Sequence, residues 1–169
     1  MRLPLAFILT LALALAAVPA FAASTTVDVP HKFRTQIPKV EKKSGLSVRL
    51  PATIKSYVKR TYADSLATRK SYTLDLGAAR GCGGATACFI ASFSGERGAR
   101  PAFKRTVQLT RGITGYFKPV TCGGSCSPAF IQWKEGRVLY EIEYKRAPER
   151  KQKSTMIALA NSAIRGGDR

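Results

Sequence analysis

An α+β fold, with an antiparallel sheet of about six to eight strands and one C-terminal helix packed on a face, follows from two features of the sequence. From residue 46 onward, apolar residues alternate with polar ones in short runs broken by glycine, serine and proline. That is the period of half-buried strands. Near the C-terminus the period changes to that of a helix, and strands followed by one helix keep the two kinds of element apart.

The chain opens on Met1-Arg2, an apolar run from Leu3 to Val18, and Pro19-Ala20-Phe21-Ala22. One positive charge, an apolar centre and a small-x-small end are the parts of a secretory signal, so cleavage is expected after residue 22. The run is about 16 residues, short of the roughly 20 that a spanning helix needs. No later run is longer, and no transmembrane segment is expected after cleavage. Residues 23–45 read as a polar lead-in with one short helical turn, opened by Pro38 and ended by Gly45. Residues 46–166 read as a single disulfide-bearing domain.

Within that domain Leu46, Val48 and Leu50 alternate and predict a strand stopped by Pro51. Residues 54–62 fit either type of element. Tyr72, Leu74 and Leu76 share a face up to Gly77; Phe89, Ala91 and Phe93 share another up to Ser94-Gly95. Residues 96–102 read as a loop before Val107 and Leu109, and Arg111-Gly112 as a tight turn into residues 113–120. The strongest hairpin runs from Phe130 to Tyr144: Ile131 and Trp133 lead to a turn at Lys134-Glu135-Gly136, and Val138, Tyr140, Ile142 and Tyr144 return on one face. Arg137, Glu141, Glu143 and Lys145 are predicted to face water on the other. Ser154 or Thr155 is expected to cap the helix, whose stripe is Met156, Leu159, Ala160 and Ala163, widened by Ile157 and Ile164 and stopped by Gly166-Gly167.

The chain carries 28 basic and 10 acidic residues, a formal charge of +18. Removing 22 residues from 169 takes Arg2 and leaves 147, a normal length for one domain, with 27 basic residues against 10 acidic. Such a surplus attracts anionic polymers and surfaces. Outside a bacterial cytoplasm these are phospholipid headgroups, lipopolysaccharide phosphates, other acidic glycopolymers or released DNA. The cations cluster at Lys32, Arg34, Lys39, Lys42 and Lys43; at Arg97, Arg100, Lys104 and Arg105; and at Lys145, Arg146, Arg150, Lys151 and Lys153. The last two clusters are the candidate anion-binding residues. Aromatic residues are not interleaved with them as a base-stacking platform requires, so no specific nucleic-acid binding is expected.

Cys82 and Cys88 lie in G-C-G-G-A-T-A-C, Cys122 and Cys126 in C-G-G-S-C. Four cysteines allow three pairings, and an exported chain oxidises them. The local pairs Cys82–Cys88 and Cys122–Cys126 are favoured over the crossed ones because each brackets glycines that let the chain turn sharply. Neither spacing is Cys-x-x-Cys, which speaks against zinc and redox activity; no metal or other cofactor is expected. Gly-Cys-Gly-Gly fits a tight turn better than an anion nest.

No catalytic constellation stands out. His31 is the single histidine and lies in the lead-in, where few groups would orient it. Ser56-x-x-Lys59 matches the nucleophile motif of penicillin-recognising enzymes without their downstream motifs. Glu141 and Glu143 share a strand face, but a catalytic carboxyl belongs in a pocket.

The segments L-S-V-R-L-P, C-G-G-A-T-A-C-F, I-T-G-Y-F-K-P-V-T-C-G-G-S-C-S, I-Q-W-K-E-G-R-V-L-Y-E-I and M-I-A-L-A-N-S-A-I resemble those of a group of small exported bacterial proteins of uncharacterised function. The Trp–Gly–Tyr hairpin and Ala/Ser-rich helix more faintly resemble an extracytoplasmic domain attached to some anti-sigma and sporulation proteins. Neither resemblance implies a catalytic residue or ligand. The functional expectation is a periplasmic or secreted, non-enzymatic basic protein associating with anionic surfaces or glycopolymers. The alternatives are a hydrolase built on carboxylates such as Glu141 and Glu143, and an inhibitor presenting its two cross-linked loops to an acidic hydrolase.

Overall fold

The computed structural model describes residues 24–82, 86–145 and 148–166. Residues 1–22, expected to be a secretory signal, and Gly83, Gly84, Arg146 and Gly167 lie outside the described residues. Strand β1 (Thr25–Asp28), helices α1 (Val29–Lys32) and α2 (Ile37–Ser44) and strand β2 (Thr53–Ser56) come first. Then follow β3 (Tyr62–Ala67), β4 (Ser71–Gly77), β5 (Phe89–Arg97), β6 (Thr106–Gln108) and β7 (Thr114–Lys118). The short β8 (Thr121–Cys122) and β9 (Cys126–Ser127) precede β10 (Ala129–Glu135), β11 (Val138–Tyr144) and α3 (Gln152–Gly166). Seven strands form one antiparallel sheet in the order β3-β4-β5-β11-β10-β7-β6, with β1-β2 and β8-β9 as separate pairs. The fold is therefore α+β, as the sequence predicts.

Alternation sorts the sheet into two unlike faces. Tyr72, Leu74, Phe93, Ile142, Ile131, Trp133, Phe117 and Val107 fall on one face and join a single core cluster with Met156, Ala160, Ala163 and Ile164 of α3. Leu139 and Phe89 are buried outside that cluster. The hairpin turns on Gly136-Arg137, since Glu135 pairs with Val138, and Gly136 takes φ +57° at the first loop position, a left-handed conformation that glycine adopts without strain. The turn thus lies one residue beyond the expected Lys134-Glu135-Gly136.

The segment expected as a polar lead-in belongs to this core. Val27, Val29, Phe33, Ile37 and Val40 are buried in it, and the Phe33 ring meets Phe93 edge-on at 6.0 Å. Asp28 accepts from His31 N–H at the start of α1 (3.0 Å), while α2 ends where expected, on left-handed Gly45.

Leu46, Val48 and Leu50 are buried as their alternation predicts, yet they form no strand ladder. Side chains take the ladder's place. Glu41 accepts from Val48 N–H (2.8 Å), the Tyr72 hydroxyl accepts from Arg49 N–H (3.0 Å), and the Tyr140 hydroxyl donates to Ser47 O (3.2 Å). Arg49 reaches on to Glu135 with two 3.1 Å bonds, and Trp133 Nε1 donates to the same carboxylate at 3.0 Å. Trp133 stacks on Tyr140, ring centroids 5.6 Å apart.

Helix α3 begins earlier than expected, at Gln152 after a 3₁₀ turn, so neither Ser154 nor Thr155 is its cap. The Ser154 hydroxyl instead donates to Lys151 O at 3.0 Å. Polar side chains of α3 fasten loops over the core: Gln152 accepts from Val120 N–H, Asn161 from Thr110 N–H and Ser162 from Ala52 N–H.

Gly95 allows the closest approach within the sheet. A Cβ there would sit 2.6 Å from Tyr72 Cε1 and 3.2 Å from Tyr140 Cε1, rings that both hold the 45–50 segment. Gly95→Ala is expected to lower stability in urea unfolding by about 1–3 kcal/mol, as overpacking does, whereas Gly123→Ala, which meets no atom within 4 Å, leaves the midpoint nearly unchanged.

Candidate functional site

The sheet face opposite the helices carries the polar chemistry. One row across it reads Asp64, Asp75, Ser92, Glu143, Phe130, Lys118; the next reads Leu66, Thr73, Ser94, Glu141, Gln132, Tyr116. With Glu96 on the adjacent row, five of the ten acidic residues of a +18 chain share this face.

Glu141 and Glu143 were expected in open water and are half-buried instead. The reason lies in strand order. Strand β5 sits third in the sheet and β6 at its far edge, so residues 98–105 must pass β11, β10 and β7 to reach it. That strap lies over the carboxylate face. Ala102 N–H donates to Gln132 Oε1 (2.9 Å), Gln132 Nε2 donates in turn to Glu141, and the Phe103 ring lies on Phe130, centroids 5.6 Å apart. Burial pushes the Glu141 carboxyl above its ordinary value, opposed by the Gln132 hydrogen bond and the Lys118 charge. Burial, then the charges of Glu141 and Asp75, push Glu143 up to about 7 against the attraction of Lys118. The Lys118 ammonium lies 5.2 Å from the centroid of the Phe130 ring.

Glu143 also lines a cleft of about 440 Å³, together with Thr86 of the first cysteine loop and Cys122, Gly123 and Cys126 of the second. Both disulfides are local, Cys82–Cys88 and Cys122–Cys126, the favoured pairing. They close the β4–β5 and β7–β10 connections, which the antiparallel order places at the same end of the sheet. Loops this short stabilise by about 2 kcal/mol each on the chain-entropy estimate.

The basic candidates do not converge. Arg97 pairs with Val138 at one end of β11 and Lys145 follows Tyr144 at the other, about 20 Å away along a seven-residue strand. Arg97 Nη2 donates to Gly45 O at 2.9 Å. Lys145 turns its ammonium onto the carbonyls of Thr86 and Ala87 and lies 5.6 Å from the centre of the Tyr57 ring, so it holds the first disulfide loop. Arg100, Lys104 and Arg105 are exposed along the strap; Arg150, Lys151 and Lys153 are exposed at the start of α3. Among the described residues, Arg49 is the one basic side chain in an ion pair, with Glu135 at 3.1 Å.

Two other sequence signals resolve locally. Ser56 is fully buried, its hydroxyl donating to Val58 O (2.9 Å) and accepting from Val58 N–H (3.1 Å), which turns the chain and keeps the hydroxyl from solvent. His31 is exposed, as expected, but is oriented: Arg34 Nη1 lies 3.1 Å from its Nε2. Among the described residues, no helix is long and apolar enough to cross a membrane. No protein-family model, curated protein or solved structure matches the chain.

Two outcomes follow from this geometry. Unreduced tryptic digestion is expected to yield residues 81–97 and 112–134 as separate peptides, each two hydrogens lighter than its reduced form, because both partners of each bond lie within one peptide; a linked pair of peptides would contradict the pairing. A carboxyl raised in the folded state binds its proton more tightly there than when unfolded, so its ionisation removes stability as pH rises from about 4.5 to about 7. Glu143→Gln is therefore expected to raise the urea midpoint at pH 8 and leave it unchanged at pH 4.

Proposed function

We propose that this is an exported, non-enzymatic protein of the bacterial envelope that associates with anionic surfaces or acidic glycopolymers through cations spread over several elements. The observation that carries this reading is the uncompensated charge: a chain of +18 holds a single ion-paired basic side chain among its described residues. Cations on the strap and at the start of α3 are exposed, and five acids are gathered on the sheet face that the strap crosses. Cations so dispersed suit an extended charged surface better than a compact ligand. Such contact is electrostatic and screened by salt.

Export is supported by the three-part pattern of residues 1–22 and by the two disulfides, which persist in oxidising compartments. A periplasmic or secreted location is the reading these features support.

A second reading, a carboxylate hydrolase, draws on Glu143. A carboxyl raised to about 7 beside Glu141, lining a cleft, has the properties of a general acid. The inhibitor reading draws on the same cleft, since residues of the two cross-linked loops line it.

Co-sedimentation with vesicles of phosphatidylglycerol in phosphatidylcholine decides among them. Retention at low salt is expected to vanish in a few hundred millimolar sodium chloride and on uncharged vesicles. Converting Arg150, Lys151 and Lys153 to Gln is expected to weaken it by roughly 100-fold, at about 1 kcal/mol per cation near the surface. Retention unchanged by salt would contradict the proposal, and turnover of peptidoglycan abolished by Glu143→Gln would replace it with the hydrolase.

A further inference from the structure

We propose that a groove between the α1–α2 turn and the start of β3 is a stereospecific subsite for a phosphoryl group. It rests on the reading above only in naming anionic envelope material as the source of that group. The groove has a volume of about 480 Å³, within the range of small-molecule sites. Lys32 and Arg34 come from the turn, Tyr62 and Asp64 from β3, and Arg80 from the connection after β4, so three separate segments converge. Three full cations face a single carboxylate, and His31 stands beside them.

Unlike the cations of the strap, these are held in place. Phe33, between Lys32 and Arg34, is fully buried against Phe93, which fixes the backbone from which its two neighbours project. Arg34 Nη1 lies 3.1 Å from His31 Nε2, and the His31 backbone is itself tied to Asp28. Arg80 sets its guanidinium over the Tyr62 ring, 5.5 Å from the centroid, and Tyr62 is registered in the sheet opposite Gly77. The Arg34 and Arg80 guanidinium groups carry N–H donors of the kind that pair with phosphate oxygens, and Lys32 adds a point charge. The ligand class is a phosphomonoester or phosphodiester, carried by a lipid headgroup, a phosphorylated glycan or free phosphate.

The test is a ¹H–¹⁵N NMR titration of the protein with inorganic phosphate at constant ionic strength, balanced with sodium chloride. Saturable shifts are expected at the amides of Lys32, Arg34, Thr61 and Arg80. The double variant Arg34→Gln/Arg80→Gln is expected to lose about tenfold or more in phosphate affinity, the effect of removing charge-assisted hydrogen bonds. The control Arg69→Gln/Lys70→Gln, at exposed positions outside the groove, removes the same charge and is expected to change it little. Unaltered spectra elsewhere show that the variants are folded. In a second arm, phosphate that displaces the protein from phosphatidylglycerol vesicles assigns the group to membranes; indifference assigns it to soluble phosphorylated compounds, and both support the groove. Loss of vesicle retention alone would sink the surface reading and leave the groove standing. Shifts scattered over the whole surface, or equal loss in both double variants, would overturn it.

Discussion

The structure depends on a sheet whose helices pack on one face only. All of the helices and the unladdered segment 45–50 pack into one core cluster with the inner residues of the seven strands. A seven-strand antiparallel sheet with one face packed must leave its other face to polar residues. Glu141, Glu143, Asp75 and Asp64 meet that requirement, and the 98–105 strap is the consequence of joining the third strand to the far edge. The acidic stripe descends from this one-sidedness and the strap from the strand order.

The same constraint organises charge. With apolar side chains filling the inner face, the cations sit on strands, turns and helix ends, and most of them are exposed. Arg49 is the exception, since it carries the segment that must act as a strand without a ladder. Its partner Glu135 also binds the indole of Trp133, so one carboxylate ties the N-terminal half of the core to the hairpin. Removing either partner would break an ion pair that is half-buried, the costly case for such a pair.

What the sequence made legible was local. The alternation at Tyr72, Leu74 and Leu76, the Trp133–Tyr140 hairpin, the helical stripe from Met156 to Ile164 and the short cysteine spacings each follow from neighbours along the chain. What stayed hidden was set across the chain. Residues 29–32 and 37–44 form helices too short to show a period, so Val29 and Phe33 gave no sign of burial. Leu46, Val48 and Leu50 alternate like a strand because their side chains alternate in burial, while their missing ladder depends on Tyr72 and Tyr140, far along the chain. Glu141 and Glu143 read as wet because strand order, and with it the crossing strap, cannot be deduced from periodicity. The groove with Arg34 and Arg80 escaped for the same reason: its walls are brought together by the pairing of β3 with β4.

The central claim is that folding segregates charge, leaving a cationic periphery around one acidic sheet face. Solvent paramagnetic relaxation measured with matched anionic and cationic probes reports the near-surface potential at each amide. The account predicts enrichment of the anionic probe along residues 31–36 and 150–153, and its exclusion at Ser92, Ser94, Glu141 and Glu143. Equal relaxation by both probes across those two sets of amides, or a positive potential along the Glu141–Glu143 face, would contradict it.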